Sequence, residues 1–362
     1  MEHVTCYAVC GRGLEPALES ELRELGATEI QVGRGGITFR ADLRLIYAAN
    51  LWLRSAIRVQ EQLIRREVAT PKQLYEAASW LPWDRWIRPD QTLAVYASTQ
   101  DTPALKHSGY AALTVKDAIV DVVRKRTGRR PNVDTKNPDL ALRLVVKAGR
   151  GILYRDTSGT SLHKRGWRPI QVKSPLNEAT AAGLIMLTSW DRGSALVDPM
   201  CGSGTFLVEA AMMAVDRAPG LQRSFAFERW PNFDPGLWRQ LKDEARDREK
   251  PGIEFTIEGA DHHGGALSLA RRSLREADVE HLVSLAKSDA RDFVPHEPPN
   301  TVVVNPPYGE RLGQDDALDD TWKSLGNFLH RHCPGATAWV LSGNKALTLS
   351  LIHISEPTRL GM

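Results

Sequence analysis

Between residues 195 and 341 the chain alternates short apolar runs with stretches of helical spacing. The runs 195–197, 254–257, 283–286, 301–304 and 336–341 read as strands, and 205–215, 266–277 and 318–330 as helices between them. Most of these runs lack a polar face. Strands of that kind are buried on both sides, which requires helices above and below a mostly parallel sheet. A doubly wound α/β sheet follows, and such sheets take ligands just beyond the carboxyl ends of their strands.

Residues able to do chemistry fall at those ends. The first run leads into Asp198-Pro199-Met200-Cys201-Gly202-Ser203-Gly204-Thr205. Glycine tolerates positive φ and lets a ligand approach the backbone, and the helix opening at Thr205 offers free N–H groups to a carboxylate. The turn is neither GxGxxG nor a Walker loop, so a nucleoside triphosphate is disfavoured. Asp261 follows the second run and suits two ribose hydroxyls. Asp289 follows the third and can accept from an adenine amino group. Taken singly, each Asp is explained as well by helix capping. Together with the glycine turn they favour a ligand containing adenosine.

The fourth run leads into Asn305-Pro306-Pro307-Tyr308. Proline fixes φ and has no N–H, which leaves the local carbonyls as pure acceptors. An exocyclic aromatic amine is a poor nucleophile because its lone pair is delocalised into the ring. Two acceptors, the Asn305 side-chain oxygen and the Pro306 carbonyl, can hold its hydrogens and favour a pyramidal nitrogen aimed at an electrophilic methyl. Tyr308 suits stacking on a flipped base.

The first half reads differently. Residues 4–10, 30–32, 37–39 and 55–68 have strand patterns, 15–25 and 43–51 helical ones, with Gly26 as C-cap and Asp42 as N-cap. The order βαββαβ predicts a ferredoxin-like unit over residues 1–68. Residues 69–165 form a second unit, with a helix after Pro71, a strand at 93–97, a helix over 107–126 and an antiparallel pair at 140–147 and 151–156. Trp80, Trp83 and Trp86 read as a hydrophobic plug or, less favoured, as base-stacking residues. The aromatic insertion 225–250 is assigned no chemistry.

The 362 residues carry a net charge of +3, but residues 106–168 hold 15 Lys/Arg against 5 Asp/Glu. Lys106 and Lys116 precede the cluster Arg124, Lys125, Arg126, Arg129 and Arg130. Cations suit a helix C-terminus, yet five within seven residues exceed what the dipole requires and suggest a polyanion-binding surface. Lys164, Arg165 and Arg168 lie in a connector that reads as a solvated linker or a phosphate-contacting hinge. Four cysteines without framework spacing point to a reducing cytosol. No apolar run approaches the ~20 residues that span a bilayer, and the N-terminus lacks a signal-peptide pattern, so a cytoplasmic protein is expected. His262-His263 has no partner spacing for a metal.

On these motifs, residues 195–345 resemble a class I S-adenosylmethionine-dependent methyltransferase that acts on amines. Residues 198–205 resemble its first motif, Asp261 its second, Asp289 its third and 305–308 its fourth. Ser174-Pro175-Leu176-Asn177-Glu178 resembles the helix that packs near the methionine moiety. The preceding region resembles a THUMP domain, an RNA-binding module. The whole is similar to bacterial large-subunit ribosomal RNA guanine-N2 methyltransferases, through phrases such as Val115-Lys116-Asp117-Ala118-Ile119-Val120-Asp121 and Ser161-Leu162-His163-Lys164-Arg165-Gly166.

The resemblance implies a fold of ferredoxin-like and THUMP modules followed by a Rossmann-like methyltransferase sheet over 166–350. It implies S-adenosyl-L-methionine held by Asp198, Cys201, Gly202, Gly204, Thr205, Asp261, Asp289 and Asn305, with the amine clamped by Asn305, Pro306 and Tyr308. It implies 23S ribosomal RNA gripped by Lys106, Lys116, Arg124, Lys125, Arg126, Arg129, Arg130, Lys164, Arg165 and Arg168, through phosphate and shape. Two departures stand out. His262-His263 follows Asp261 where the family often has a second acidic residue. Residues 351–362 do not carry the pattern of two further strands and a helix, so the sheet is expected to stop short at that edge. Rival readings are a transfer RNA guanine-N2 or DNA adenine-N6 methyltransferase, an RNA-binding fragment without catalysis, and an oxidoreductase, which the lack of GxGxxG opposes.

Overall fold

A computed structural model describes residues 3–168, 176–307, 315–344, 348 and 360–361. The chain divides into two units, Met1–Leu162 with Arg223–Asp243, and His163–Gln222 with Glu244–Met362.

In the first unit β1 (Val4–Cys10), α1 (Glu15–Glu24), β2 (Thr28–Gly33), β3 (Gly36–Ala41), α2 (Leu43–Trp52) and β4 (Ala56–Glu67) realise the expected βαββαβ order. Asp42 caps α2 by accepting from the Leu45 N–H at 2.8 Å. There follow α3 (Pro71–Ser79), α4 (Trp83–Trp86), β5 (Thr92–Gln100), α5 (Ser108–Thr127), β6 (Asn132–Val133), β7 (Leu140–Lys147) and β8 (Arg150–Asp156). The sequence suggests two separate modules, but they share one sheet, ordered β2-β3-β1-β4-β8-β7-β5-β6. The join is β4, long enough to pair with β1 at its start and with β8 at its end.

The aromatic insertion belongs to this unit. Phe227 stacks on Tyr47 at 4.2 Å, and Trp238 meets the same ring edge-on. Arg155, ion-paired with buried Glu61, lies 3.6 Å over the Trp230 ring. The insertion is thus a packing element.

The second unit contains α6 (Glu178–Leu187), β9 (Leu196–Asp198) and α7 (Thr205–Ala214); α8 (Pro235–Asp247) follows, with its residues up to Asp243 in the first unit and the rest in the second. After it come β10 (Ile257–Asp261), α9 (Gly264–Glu276), β11 (Val283–Lys287), β12 (Thr301–Val304), α10 (Asp315–His332), β13 (Thr337–Val340) and β14 (Leu360–Gly361). The sheet runs β11-β10-β9-β12-β13-β14, every pair parallel, and it does not stop at β13 as the sequence leads one to expect, because Leu360 and Gly361 pair with Ala338 and Trp339. Alternate residues serve two cores. Leu196 and Val303 pack with Trp167, Phe206 and Leu207, while Val197, Val302 and Val304 pack with Trp322, Leu325 and Phe328. Strand order reverses at β9, flanked by β10 and β12, so the ligand crevice of such a sheet opens there.

One strand lies where the sequence does not put it. The run 254–257 is not the strand; β10 starts at Ile257 and includes Glu258, Gly259 and Ala260. Hydropathy misses it because the position is central and crowded. A Cβ at Gly259 would come 2.3 Å from the Leu207 side chain and 3.1 Å from the Cys201 Cβ, so only glycine fits. Buried Glu258 is tolerated because its carboxylate accepts from the His296 N–H at 3.0 Å and meets that residue's Nδ1 at 2.5 Å.

All four cysteines are free and buried. Among the described residues no helix is long and apolar enough to cross a membrane, and no group of three metal-ligating side chains converges.

Candidate active site

The carboxyl ends of β10, β9 and β12, adjacent in the sheet, carry Asp261, Asp198 and Asn305 in that spatial order. Adjacent strands lie about 4.8 Å apart, so the three groups line one edge.

The turn after β9 is held by internal bonds. The Asp198 carboxylate, 1% exposed, accepts from the Met200 N–H at 3.1 Å. Burial, reinforced by the nearby Asp261 charge, pushes its pKa well above the usual carboxylate range. The Cys201 N–H donates to the Ala260 carbonyl at 2.8 Å, and the Gly204 N–H to the Cys201 carbonyl at 2.8 Å. The Cys201 thiol is buried, which pushes its pKa up, and it lies 3.9 Å from the Gly202 carbonyl.

Gly202 and Gly204 take φ of +54° and +77°, the left-handed region that disfavours side chains. A Cβ at Gly204 would also come 3.0 Å from the Ala270 Cβ of α9, whereas at Gly202 no described atom lies within 4 Å of that position. The backbone at Gly202 is therefore open to an approaching ligand. Asp261 joins the turn to its neighbour: one carboxylate oxygen accepts from the Gly202 N–H at 2.9 Å, the other from the His263 N–H at 2.8 Å. A carboxylate has about four acceptor positions, so two remain free for a ligand's donors. His262 sets its Nδ1 3.9 Å from Asp261.

Asp289 lies past β11, where the Ser288 N–H donates to the Asp261 carbonyl at 3.3 Å. Its carboxylate accepts from the Arg291 N–H at 3.0 Å and is 43% exposed, available to solvent or ligand.

The turn after β12 is different. Asn305 Oδ1 is buried and has no hydrogen-bond partner among the described residues. Leaving a buried acceptor unpaired costs about 1–3 kcal/mol, which is a reason to expect a ligand donor there. Pro306 is buried. The Pro307 carbonyl accepts from the Trp322 indole N–H at 2.8 Å, which ties the loop to α10. Sequence reasoning misses Trp322, since its spacing with Leu318, Leu325 and Leu329 marks only a core face. Tyr308 lies outside the described residues, as do Ser174 and Pro175.

The expected nucleic-acid residues separate into two groups. Arg168 is turned inward. Its guanidinium pairs with Glu178 at 3.1 Å and donates to the Thr205 hydroxyl at 2.9 Å and the Leu176 carbonyl at 3.2 Å. It braces the start of α6 against the start of α7. Arg165 is 2% exposed and paired with fully buried Glu209 at 3.3 Å, so it too is internal. Burying an isolated cation is prohibitive, and pairing resolves that cost. Lys106, Arg124, Lys125, Arg126, Arg129, Arg130 and Lys164 are exposed. Arg126 is ion-paired with Asp84 and Lys116 with Asp117, both at 2.5 Å.

With this geometry in place the relatives become informative. Residues 165–354 match the family described as RMKL-like, methyltransferase domain. The chain is a member of that family. Ahead of this methyltransferase domain, residues 5–60 match the RlmL ferredoxin-like domain and 68–156 the THUMP domain. A candidate RNA methyltransferase of Synechocystis sp. is 36% identical, over 94% of this chain and 89% of its own length. The ribosomal RNA large subunit methyltransferase K/L of Cellvibrio japonicus is 40% identical over 94% of this chain, and this chain spans only 47% of that protein. Among solved structures, a candidate methyltransferase complexed with S-adenosylhomocysteine superposes with a TM-score of 0.88 at 29% identity, covering 97% of this chain and 92% of its own. A Listeria monocytogenes protein described as a predicted N6-adenine-specific DNA methylase superposes equally well, at 0.88 and 30%, with the same coverage.

Proposed function

We propose that this methyltransferase moves a methyl group from S-adenosylmethionine to the exocyclic N2 amine of a guanine in large-subunit ribosomal RNA. The observation that carries the reading is the partnerless Asn305 Oδ1, one strand away from the Asp198 turn. The sulfonium, when bound, supplies an activated methyl carbon. The chain's own residues do the rest. The Gly202 backbone and the free acceptor positions of Asp261 receive the ribose side of the donor, and exposed Asp289 is available to the adenine amine. Asn305 Oδ1 accepts one amine hydrogen and the Pro306 carbonyl the other, which turns the nitrogen lone pair toward the methyl. Alignment of nitrogen, carbon and sulfur is the main source of rate, with acceptors stabilising the charge that grows on nitrogen.

The choice of RNA rests on the exposed basic surface of α5 and on the THUMP match. The name of the Listeria relative supports a second reading, an adenine amine in DNA, because the clamp accepts either amine. Incubation with isotopically labelled donor and ribosomal RNA, transfer RNA or duplex DNA, followed by nucleoside analysis, separates them. N2-methylguanosine in large-subunit RNA is the expected product; N6-methyladenine in DNA contradicts the proposal.

A further inference from the structure

The tryptophans that sequence spacing groups together part company in the fold. Trp83 is fully buried, donates its indole N–H to the Ala78 carbonyl at 2.7 Å and meets Trp86 edge-on. Trp86 carries the Arg155 guanidinium 5.2 Å from its ring centroid. These two are packing residues. Trp80, at the C-cap of α3, is 80% exposed, the highest value among the large hydrophobic side chains described. An indole left in water forgoes a large apolar gain, so a bare one invites a functional explanation.

Its surroundings supply one. Helix α3 lies on α5, with the Tyr75 hydroxyl donating to Asp121 at 2.7 Å. Asp84, four residues beyond Trp80, pairs with Arg126 at 2.5 Å. Four residues of chain reach at most about 14 Å between Cα atoms, so Trp80 lies on the segment that joins α3 to the C-terminal end of α5. There Gly128 turns the chain at φ +75°. Arg124, Lys125, Arg129 and Arg130 are exposed on either side of that turn, and none forms an ion pair with the described residues. An exposed aromatic face and four exposed cations without ion-pair partners among the described residues, carried by one packed helix pair, fit a strand that offers phosphates and bare base faces together. A paired duplex hides its base faces, and an acidic peptide would use the charges but not the ring.

We propose that Trp80 is a stacking platform for an unpaired RNA base whose flanking phosphates lie on Arg124, Lys125, Arg129 and Arg130. The inference rests on the RNA reading above and adds that the RNA is single-stranded where this unit grips it.

The test uses the full chain, its Trp80→Ala and Trp80→Phe variants, and two RNAs: a large-subunit ribosomal hairpin with an unpaired loop, and the same stem fully paired. Binding is measured by fluorescence anisotropy at several salt concentrations. Trp80→Ala is expected to weaken hairpin binding on the order of tenfold, the loss of one base stack. It should leave duplex binding and the salt slope unchanged, since an indole releases no counterions. Trp80→Phe should recover most of the loss. Equal hairpin affinity for parent and Trp80→Ala overturns the stacking role alone, and an equal loss on both RNAs does the same. Failure of the parent chain to bind either RNA overturns the RNA reading itself and the stacking role with it.

Discussion

The turns after β9 and β12 leave adjacent strands of one sheet, yet they use their polar groups in opposite ways. After β9 the Cys201, Gly202 and Gly204 N–H groups are occupied by the protein, and Asp261 is spent partly on holding the turn. After β12 the Pro307 carbonyl is tied down by Trp322, but the Asn305 oxygen is left without a partner among the described residues. One turn is a cradle fixed before its ligand arrives. The other is a fixed mount for one unsatisfied acceptor. The contrast supports the proposed division of roles: a cradle can bind a donor molecule equally well before and during the reaction, whereas only an acceptor that gains in the transition state accelerates it.

The sharpest break of that contrast is Asn305→Ala. Turnover is expected to fall by about 10²–10³, the usual cost of losing one transition-state hydrogen-bond partner, while donor affinity measured by calorimetry changes little. A large loss of donor affinity with unchanged turnover would assign Asn305 to the cradle instead.

Asp198→Asn should behave in the opposite sense, lowering donor affinity by about tenfold, the scale of weakening one hydrogen bond that holds the turn, with little change in turnover of bound donor. It also has a pH signature. Burial raises the folded pKa of Asp198, so the stability tied to its protonated form is present below the unfolded value near 4 and is lost as pH rises toward the folded value. The Asn variant has nothing to ionise. Without donor it should melt above the parent at pH 7 and level with it near pH 3; a gap of the same size at both pH values would contradict the assignment.

The cations repeat the contrast. Neutralising Arg124, Lys125, Arg129 and Arg130 together should weaken RNA binding about tenfold or more and flatten its salt dependence by roughly 0.7 for each phosphate no longer neutralised. Arg168→Gln should leave the salt slope unchanged and lower donor affinity, because its guanidinium braces Thr205. A flattened slope in Arg168→Gln would put that residue back on the RNA. The smallest effect is expected for Trp322→Phe, which keeps an aromatic ring but removes the bond to the Pro307 carbonyl. Turnover should drop by a few-fold, within the ~0.5–1.5 kcal/mol of one net hydrogen bond, without change in donor affinity.

What the sequence revealed follows from what local patterns can encode. The βαββαβ start, the Asp42 cap and most strands of the second sheet are legible because hydrophobic period and turn residues are local signals. Strand β10 is displaced in the reading because Glu258 and Gly259 are held in a buried strand by His296, Leu207 and Cys201, none of them nearby in sequence. For the same reason a run of basic residues does not reveal that Arg165 is spent on Glu209 and Arg168 on Glu178. The three tryptophans share a spacing but not an environment, and only packing separates Trp80 from the other two.

The central claim is that Asn305 is held ready for the target amine. A crystal structure with S-adenosylhomocysteine and a guanine-containing oligoribonucleotide tests it most directly. Asn305 Oδ1 is expected within hydrogen-bond distance, about 3 Å, of the guanine N2, with that nitrogen facing the sulfur. Asn305 Oδ1 bonded to protein or to the adenosine, with N2 elsewhere, would contradict it.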